Sequence, residues 1–174
     1  MKNDIKLSEH FVLSEFTRSA TASRLGIDNT PSREQVANLS RLCEKILEPL
    51  RSYINSPAYK ASSGCLPQKG DGGSPLIISS GYRCPMLNRA VGGSSTSQHM
   101  TGEAVDIRLP KKVWPSGQTH TDKDLARKWL CWIADNCRFD QLIFETTNCL
   151  DYWIHVSLKS RGNRQQVITH LLKN

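Results

Sequence analysis

Between Ser32 and Ile54 the apolar residues Val36, Leu39, Leu42, Cys43, Ile46, Leu47, Leu50 and Ile54 recur three and four apart, the spacing that keeps one helix face apolar. A long amphipathic helix is predicted there. Ser32 followed by Gln35 has the pattern of a capping box, Pro31 could equally be the first helical residue, and Pro49 is expected to kink or end the helix. A second helix, about Thr121 to Cys137, carries Leu125, Trp129, Trp132 and Ile133 on one side and a Thr121/Asp124 capping signal at its start. A short helix over Pro85 to Val91 is stopped by Gly92-Gly93. Elsewhere the period is two. Leu76 to Ser80 is a short β-rich run, and in AVDIRL (104–109) Val105, Ile107 and Leu109 face one way while Ala104, Asp106 and Arg108 face the other. Gln141 to Glu145 and Tyr152 to Leu158 read as strands close enough in sequence for an antiparallel hairpin. In the latter run Ile154, Val156 and Leu158 form the apolar face, which leaves Trp153, His155 and Ser157 on the other. The tail RQQVITHLLKN suits strand or helix, and residues 56–75, dense in Ser, Gly and Pro without a period, read as a mobile loop. Helices segregated from several short strands predict an α+β fold, a small antiparallel sheet packed against helices, and the 174 residues fit a single domain over 1–174.

Composition narrows the surroundings rather than the fold. With 38% hydrophobic and 22% charged residues the chain can bury a core, and no run approaches the roughly 18 apolar residues of a spanning helix, so no membrane insertion is expected. The start, MKNDIKLSEHFVLSEF, lacks the apolar core and small-residue cleavage site of a signal peptide, which points to synthesis in the cytoplasm and release by another route. Lys and Arg number 23 against 16 Asp and Glu, a net charge of +7 that favours a polyanionic partner: nucleic acid, anionic lipid or bacterial wall polymer. The basic residues are scattered, densest at 110–112 and 159–164, without the interleaved aromatics of a single-strand binder, so nucleic acid is not the expected partner. Six cysteines, at 43, 65, 84, 131, 137 and 149, form no CxxC pair, and free thiols are expected.

The polar faces of the strands carry the chemistry. His99 lies in a polar loop leading into the 104–109 strand, Asp106 lies on that strand's non-core face, and His155 lies on the non-core face of YWIHVSL. Taken singly, each has a plain alternative: a loop histidine, a salt-bridge partner for Arg83 or Arg108, a cross-strand polar residue. Together, two imidazoles and a carboxylate supply three of the four tetrahedral positions of zinc and leave one for water, the arrangement of a catalytic site. A metal so held needs a nearby proton acceptor, and Glu145 or Asp151 can fold back beside the His155 strand, Glu145 being preferred. A mononuclear iron oxygenase also uses two histidines and a carboxylate, but its motif sets His and carboxylate two apart, against seven here. His10, His120 and His170 read as surface or packing residues.

The stretch SGYRCPMLNRAVGGSSTSQHMTGEAVDIRL, with DQLIFE and WIHVS after a helix, resembles the zinc D-Ala-D-Ala peptidases of the M15 type, which cleave peptidoglycan stem peptides and crosslinks. The likeness runs over about residues 7–170, and FVLSEFTRSATASRLGIDNTP is similar to the N-terminal segment of a phage-associated and bacterial branch. The resemblance implies a Hedgehog/DD-peptidase fold, zinc held by His99, Asp106 and His155, and Arg83 steadying a substrate carbonyl or carboxylate. It implies for Ser97 either a bond to substrate or a local turn role, and for Gly102 close backbone packing beside the metal. Many relatives have an acid three residues before the last histidine, where this chain has Tyr152. In the similar branch the acid of the DQLIxE segment stands in, which is Glu145. The implied function is a zinc peptidoglycan peptidase, carboxypeptidase or endopeptidase, acting on the wall after release, as a phage lysis or virion protein would; a monomer is the expectation for a hydrolase this small. The alternative is a noncatalytic, zinc-stabilised wall-binding module.

Overall fold

The computed structural model of the chain describes residues 4–63, 74–113, 115–146 and 150–172. Two short N-terminal helices, α1 (Leu13–Thr17) and α2 (Ala20–Leu25), lead to the predicted long helix. That helix opens at Ser32, whose side chain and Gln35 form the reciprocal capping box, and Pro31 precedes it. Pro49 neither ends nor breaks it. α3 (Arg33–Leu42) passes through a π-helical turn (Cys43–Leu47) into α4 (Glu48–Asn55). The Glu48 N–H reaches back five residues to the Cys43 carbonyl, and this wider turn accommodates the missing donor and ring of Pro49.

The expected loop over 56–75 is partly helical. Pro57–Ser63 forms α5, started by the Ser56 hydroxyl, which accepts the Tyr59 N–H at 3.2 Å, and by proline at the first helical position. Tyr59 is buried, and its hydroxyl accepts the Trp129 indole N–H at 2.6 Å. The rest of that stretch, 64–73, lies outside the described residues.

The main sheet has five strands in the order β1-β2-β6-β5-β7, where β1 is Ile77–Ser80, β2 Ala104–Arg108, β5 Gln141–Thr146, β6 Tyr152–Ser157 and β7 Gln166–Leu172. Between β1 and β2 come α6 (Pro85–Ala90) and a 3-10 turn (Gln98–Thr101); between β2 and β5 come β3 (Lys111–Val113), β4 (Thr119–Thr121) and α7 (Lys123–Asn136). The tail is the strand β7, and it corrects the expectation of a wholly antiparallel sheet. Leaving β6 the chain hops over β5 and pairs with its outer edge, so β7 runs parallel to β5. A short connection suffices because β7 is antiparallel to the strand it leaves. Asp140 ties the crossing: its carboxylate is fully buried, accepts Arg164 through the backbone N–H, Nε and Nη2, and pairs with Lys159. These bonds hold its pKa down to about 2.

α7 is capped by Asp122, not by the expected Thr121/Asp124 pair: the Asp122 carboxylate accepts the Asp124 and Leu125 N–H groups. Thr121 ends β4 and its hydroxyl accepts the Tyr152 N–H at 2.8 Å. One face of the main sheet supplies Ile78, Val105, Ile107, Leu142, Phe144, Ile154 and Val156 to a core completed by Leu39, Leu42, Ile46, Leu47, Leu50 and the α7 residues Trp129, Leu130 and Ile133. Cys43, Cys84, Cys131 and Cys137 are free thiols, as expected, while Cys65 and Cys149 lie outside the described residues. No helix among the described residues is long and apolar enough to cross a membrane.

Candidate metal centre

Across β2 and β6 Asp106 is the direct partner of His155, which on its other side faces Ile143 of β5. Direct partners share a sheet face, and Glu145, two residues beyond Ile143, shares it too. The remaining histidine arrives from outside the sheet. His99 sits in the 3-10 turn just before β2, and its Nδ1 bonds the Gly81 carbonyl at 2.6 Å, which turns Nε2 toward Asp106. His99 Nε2 lies 3.3 Å and His155 Nδ1 2.9 Å from the same oxygen, Asp106 Oδ1. The three potential ligand atoms all lie within 4.8 Å of one another, and the two imidazole rings meet edge to face with centroids 5.1 Å apart. Two ring nitrogens and a carboxylate oxygen form a donor set suited to zinc, with the His99 tautomer fixed by a backbone carbonyl.

All three groups are largely withdrawn from solvent, His99 at 3% and Asp106 at 7% exposure. Burial pushes the His99 pKa below its ordinary value, against the pull of Asp106. Burial alone would raise the Asp106 carboxyl, but the two imidazoles beside it override that and hold it well below the usual carboxylate range. Its second oxygen accepts Arg83 Nη2 at 2.7 Å, and Arg83 Nε donates to Ser80 Oγ at 2.9 Å. Arg83 thus makes the ion pair expected of a structural residue and also lines the cleft.

Two cavities meet at the cluster. The smaller, about 180 Å³, is lined by His99, His155, Ser97, Gln98 and Gln141; the larger, about 560 Å³, runs past Arg108, Trp153 and the N-terminal segment. Arg83, Asp106 and Glu145 line both. Glu145 is 4% exposed and stands beside the ligand cluster. Asp151 does not. Its separation of four from His155 would allow it the same face, but β6 begins only at Tyr152, and its carboxylate turns to Lys111 Nζ at 2.6 Å. Ser97 precedes the 3-10 turn, where its hydroxyl makes no capping bond, and the residue lines the smaller cavity.

The His99 turn is clamped by α3, a support that no local pattern announces. The Gln35 side chain donates to the Met100 carbonyl at 3.0 Å and the Asn38 side chain to the Thr101 carbonyl at 2.8 Å. Gly102 has φ +71°, and a Cβ there would come within 2.6 Å of the Gln35 carbonyl oxygen, so both backbone angle and close approach require glycine. Gly81, whose carbonyl orients His99, lies against the backbone of Phe16, 2.6 Å from where a Cβ would stand. His10 bonds Glu48 at 2.8 Å and His120 Nδ1 its neighbour's carbonyl, Thr121 O, at 3.0 Å, so neither joins the cluster; the His170 side chain lies outside those described.

The family model described as Peptidase M15 matches residues 9–157, a span that takes in every residue of this site. No curated protein matches the chain.

Proposed function

The chain belongs to the M15 family of metallopeptidases, and from that premise we propose that it is a zinc-dependent hydrolase of peptidoglycan stem peptides or crosslinks, a DD-carboxypeptidase or an endopeptidase. The observation that carries this reading is the convergence of His99 Nε2 and His155 Nδ1 on one oxygen of Asp106, with Glu145 in the same cleft. His99, Asp106 and His155 are the residues that would hold the metal. Zinc, when bound, supplies a Lewis acid that polarises the scissile carbonyl and acidifies water toward neutral pH. Glu145 then acts as general base, taking the proton from the attacking water and returning it to the leaving amine. Arg83, anchored on Asp106 and Ser80, offers its guanidinium to the carbonyl oxygen as charge develops there. Ser97, which lines the smaller cavity, bonds substrate through its hydroxyl in this reading. The net charge of +7 suits an anionic wall polymer.

The test is release of peptides or D-alanine from purified peptidoglycan with and without a chelator. Cleavage that stops on chelation and returns with zinc is expected; cleavage indifferent to the chelator, or none from any wall tested, contradicts the reading.

A further inference from the structure

The two arms of the cleft differ in charge. Beyond the residues they share, the smaller is walled by neutral polar residues such as Ser94, Thr96, Gln98 and Gln141, whereas the larger adds two arginines, Arg18 and Arg108. Arg83 is paired with Asp106 through Nη2 and bonded to Ser80 through Nε, beside the ligand cluster. Arg18 and Arg108 have no carboxylate partner among the described residues and are exposed. The acids on this arm beyond the ligand cluster are Glu15 and Glu145, and Glu15 spends one oxygen on the Val12 N–H.

Arg18 comes from the N-terminal segment, and the fold pins it there. The Asn29 side chain donates to the Thr17 carbonyl at 2.9 Å and to the Tyr82 carbonyl at 3.1 Å, and accepts the Cys84 N–H at 2.7 Å. One side chain therefore fastens the backbone before Arg18 to the backbone on both sides of Arg83. Arg108 stands two residues from Asp106 on the same sheet face, opposite Trp153. Leu87, Val91 and Trp153 give the arm an apolar wall, and its volume of about 560 Å³ is that of a site for a short peptide segment.

We propose that this arm binds a segment of the substrate carrying a free carboxylate, and that Arg18 and Arg108 are the residues that select it. A guanidinium fork matches a carboxylate geometrically, and a cation without a protein partner is available to it. The proposal rests on the peptidase reading for the identity of the substrate, not for the binding chemistry. In a wall stem peptide with lysine at its third position two groups have that chemistry, the α-carboxylate of the D-glutamyl residue and the terminal carboxylate.

The probe is the pentapeptide L-alanyl-γ-D-glutamyl-L-lysyl-D-alanyl-D-alanine in four forms, with neither, either or both carboxylates amidated. Binding is measured by calorimetry on the zinc-loaded Glu145→Gln protein, and cleavage on the unaltered protein. Amidating one of the two carboxylates is expected to weaken binding at least tenfold, which identifies the group read. Arg18→Gln and Arg108→Gln should each remove most of that discrimination, and Arg18→Lys and Arg108→Lys should restore part of it. Equal binding of all four peptides, binding of none, or discrimination untouched by both Gln variants overturns the proposal. Failure of the unaltered protein to cleave any form, with the acid-to-amide ratio behaving as expected, would instead remove the peptidase reading and leave this one standing.

Discussion

The two faces of the main sheet are built from the same strands and both carry residues withdrawn from solvent, yet they do opposite work. On one face Val105, Ile107, Leu142, Ile154 and Val156 are all fully buried in the core. On the other, one residue away along each strand, Asp106 and Glu145 are 7% and 4% exposed. Burial by itself therefore does not separate core from site. What differs is how burial is compensated. The apolar face gains by leaving water, while the polar face must satisfy each charge: Asp106 by two imidazoles and Arg83, His99 by the Gly81 carbonyl. The polar face is thus tolerable only as a set.

The largest separation between the faces is expected from Glu145→Gln. It should lower kcat by about 10²–10⁴ while zinc content and melting temperature stay near those of the unaltered protein, because the change removes a proton acceptor and little volume. Steady-state kinetics beside metal analysis checks this, and a fall in zinc content equal to the fall in kcat would make Glu145 a structural residue. Leu142→Ala, on the opposite face of the same strand, should do the reverse: about 2–5 kcal/mol lost in urea unfolding with kcat per folded molecule nearly intact. Gly102→Ala lies between them. Its positive φ and the Gln35 carbonyl leave no room for a methyl group, so about 1–3 kcal/mol of stability should go, together with weaker zinc binding as the His99 turn shifts. Denaturant unfolding and a zinc titration on the same preparation would show both.

The smallest effect concerns a buried charge away from the cleft. Asp140 has a folded pKa of about 2, below the roughly 3.9 of an unfolded aspartate. Its stabilisation is present above the unfolded value. Between the two values the unfolded chain binds a proton that the folded chain does not, so stability falls as pH drops from about 4 toward 2. Melting temperatures across that range should fall less steeply in Asp140→Asn.

The legible parts of this molecule are those whose cause is local. Alternation along 104–109 and 152–158 placed Asp106 and His155 off the core, and both lie together on the polar face. The three-and-four spacing of Val36 through Ile54 marked the long helix, but not the π turn by which it passes Pro49. The parallel pairing of β7 was hidden because it depends on Asp140 meeting Arg164 across 24 residues. The Ser56-Pro57 start of α5 was present in the sequence and outweighed by the Ser, Gly and Pro that follow it. Least legible were the supports of the site. Gln35, Asn38 and Asn29 act on backbone 53 to 65 residues away, and no period or motif records such contacts.

The central claim is that His99, Asp106 and His155 together hold one zinc ion. Anomalous diffraction at the zinc edge, from crystals of the zinc-loaded protein, tests it most directly. The account predicts a single peak about 2.0–2.2 Å from His99 Nε2, His155 Nδ1 and an Asp106 carboxylate oxygen, absent in His155→Ala. A peak elsewhere, or none in protein loaded with stoichiometric zinc, would contradict it.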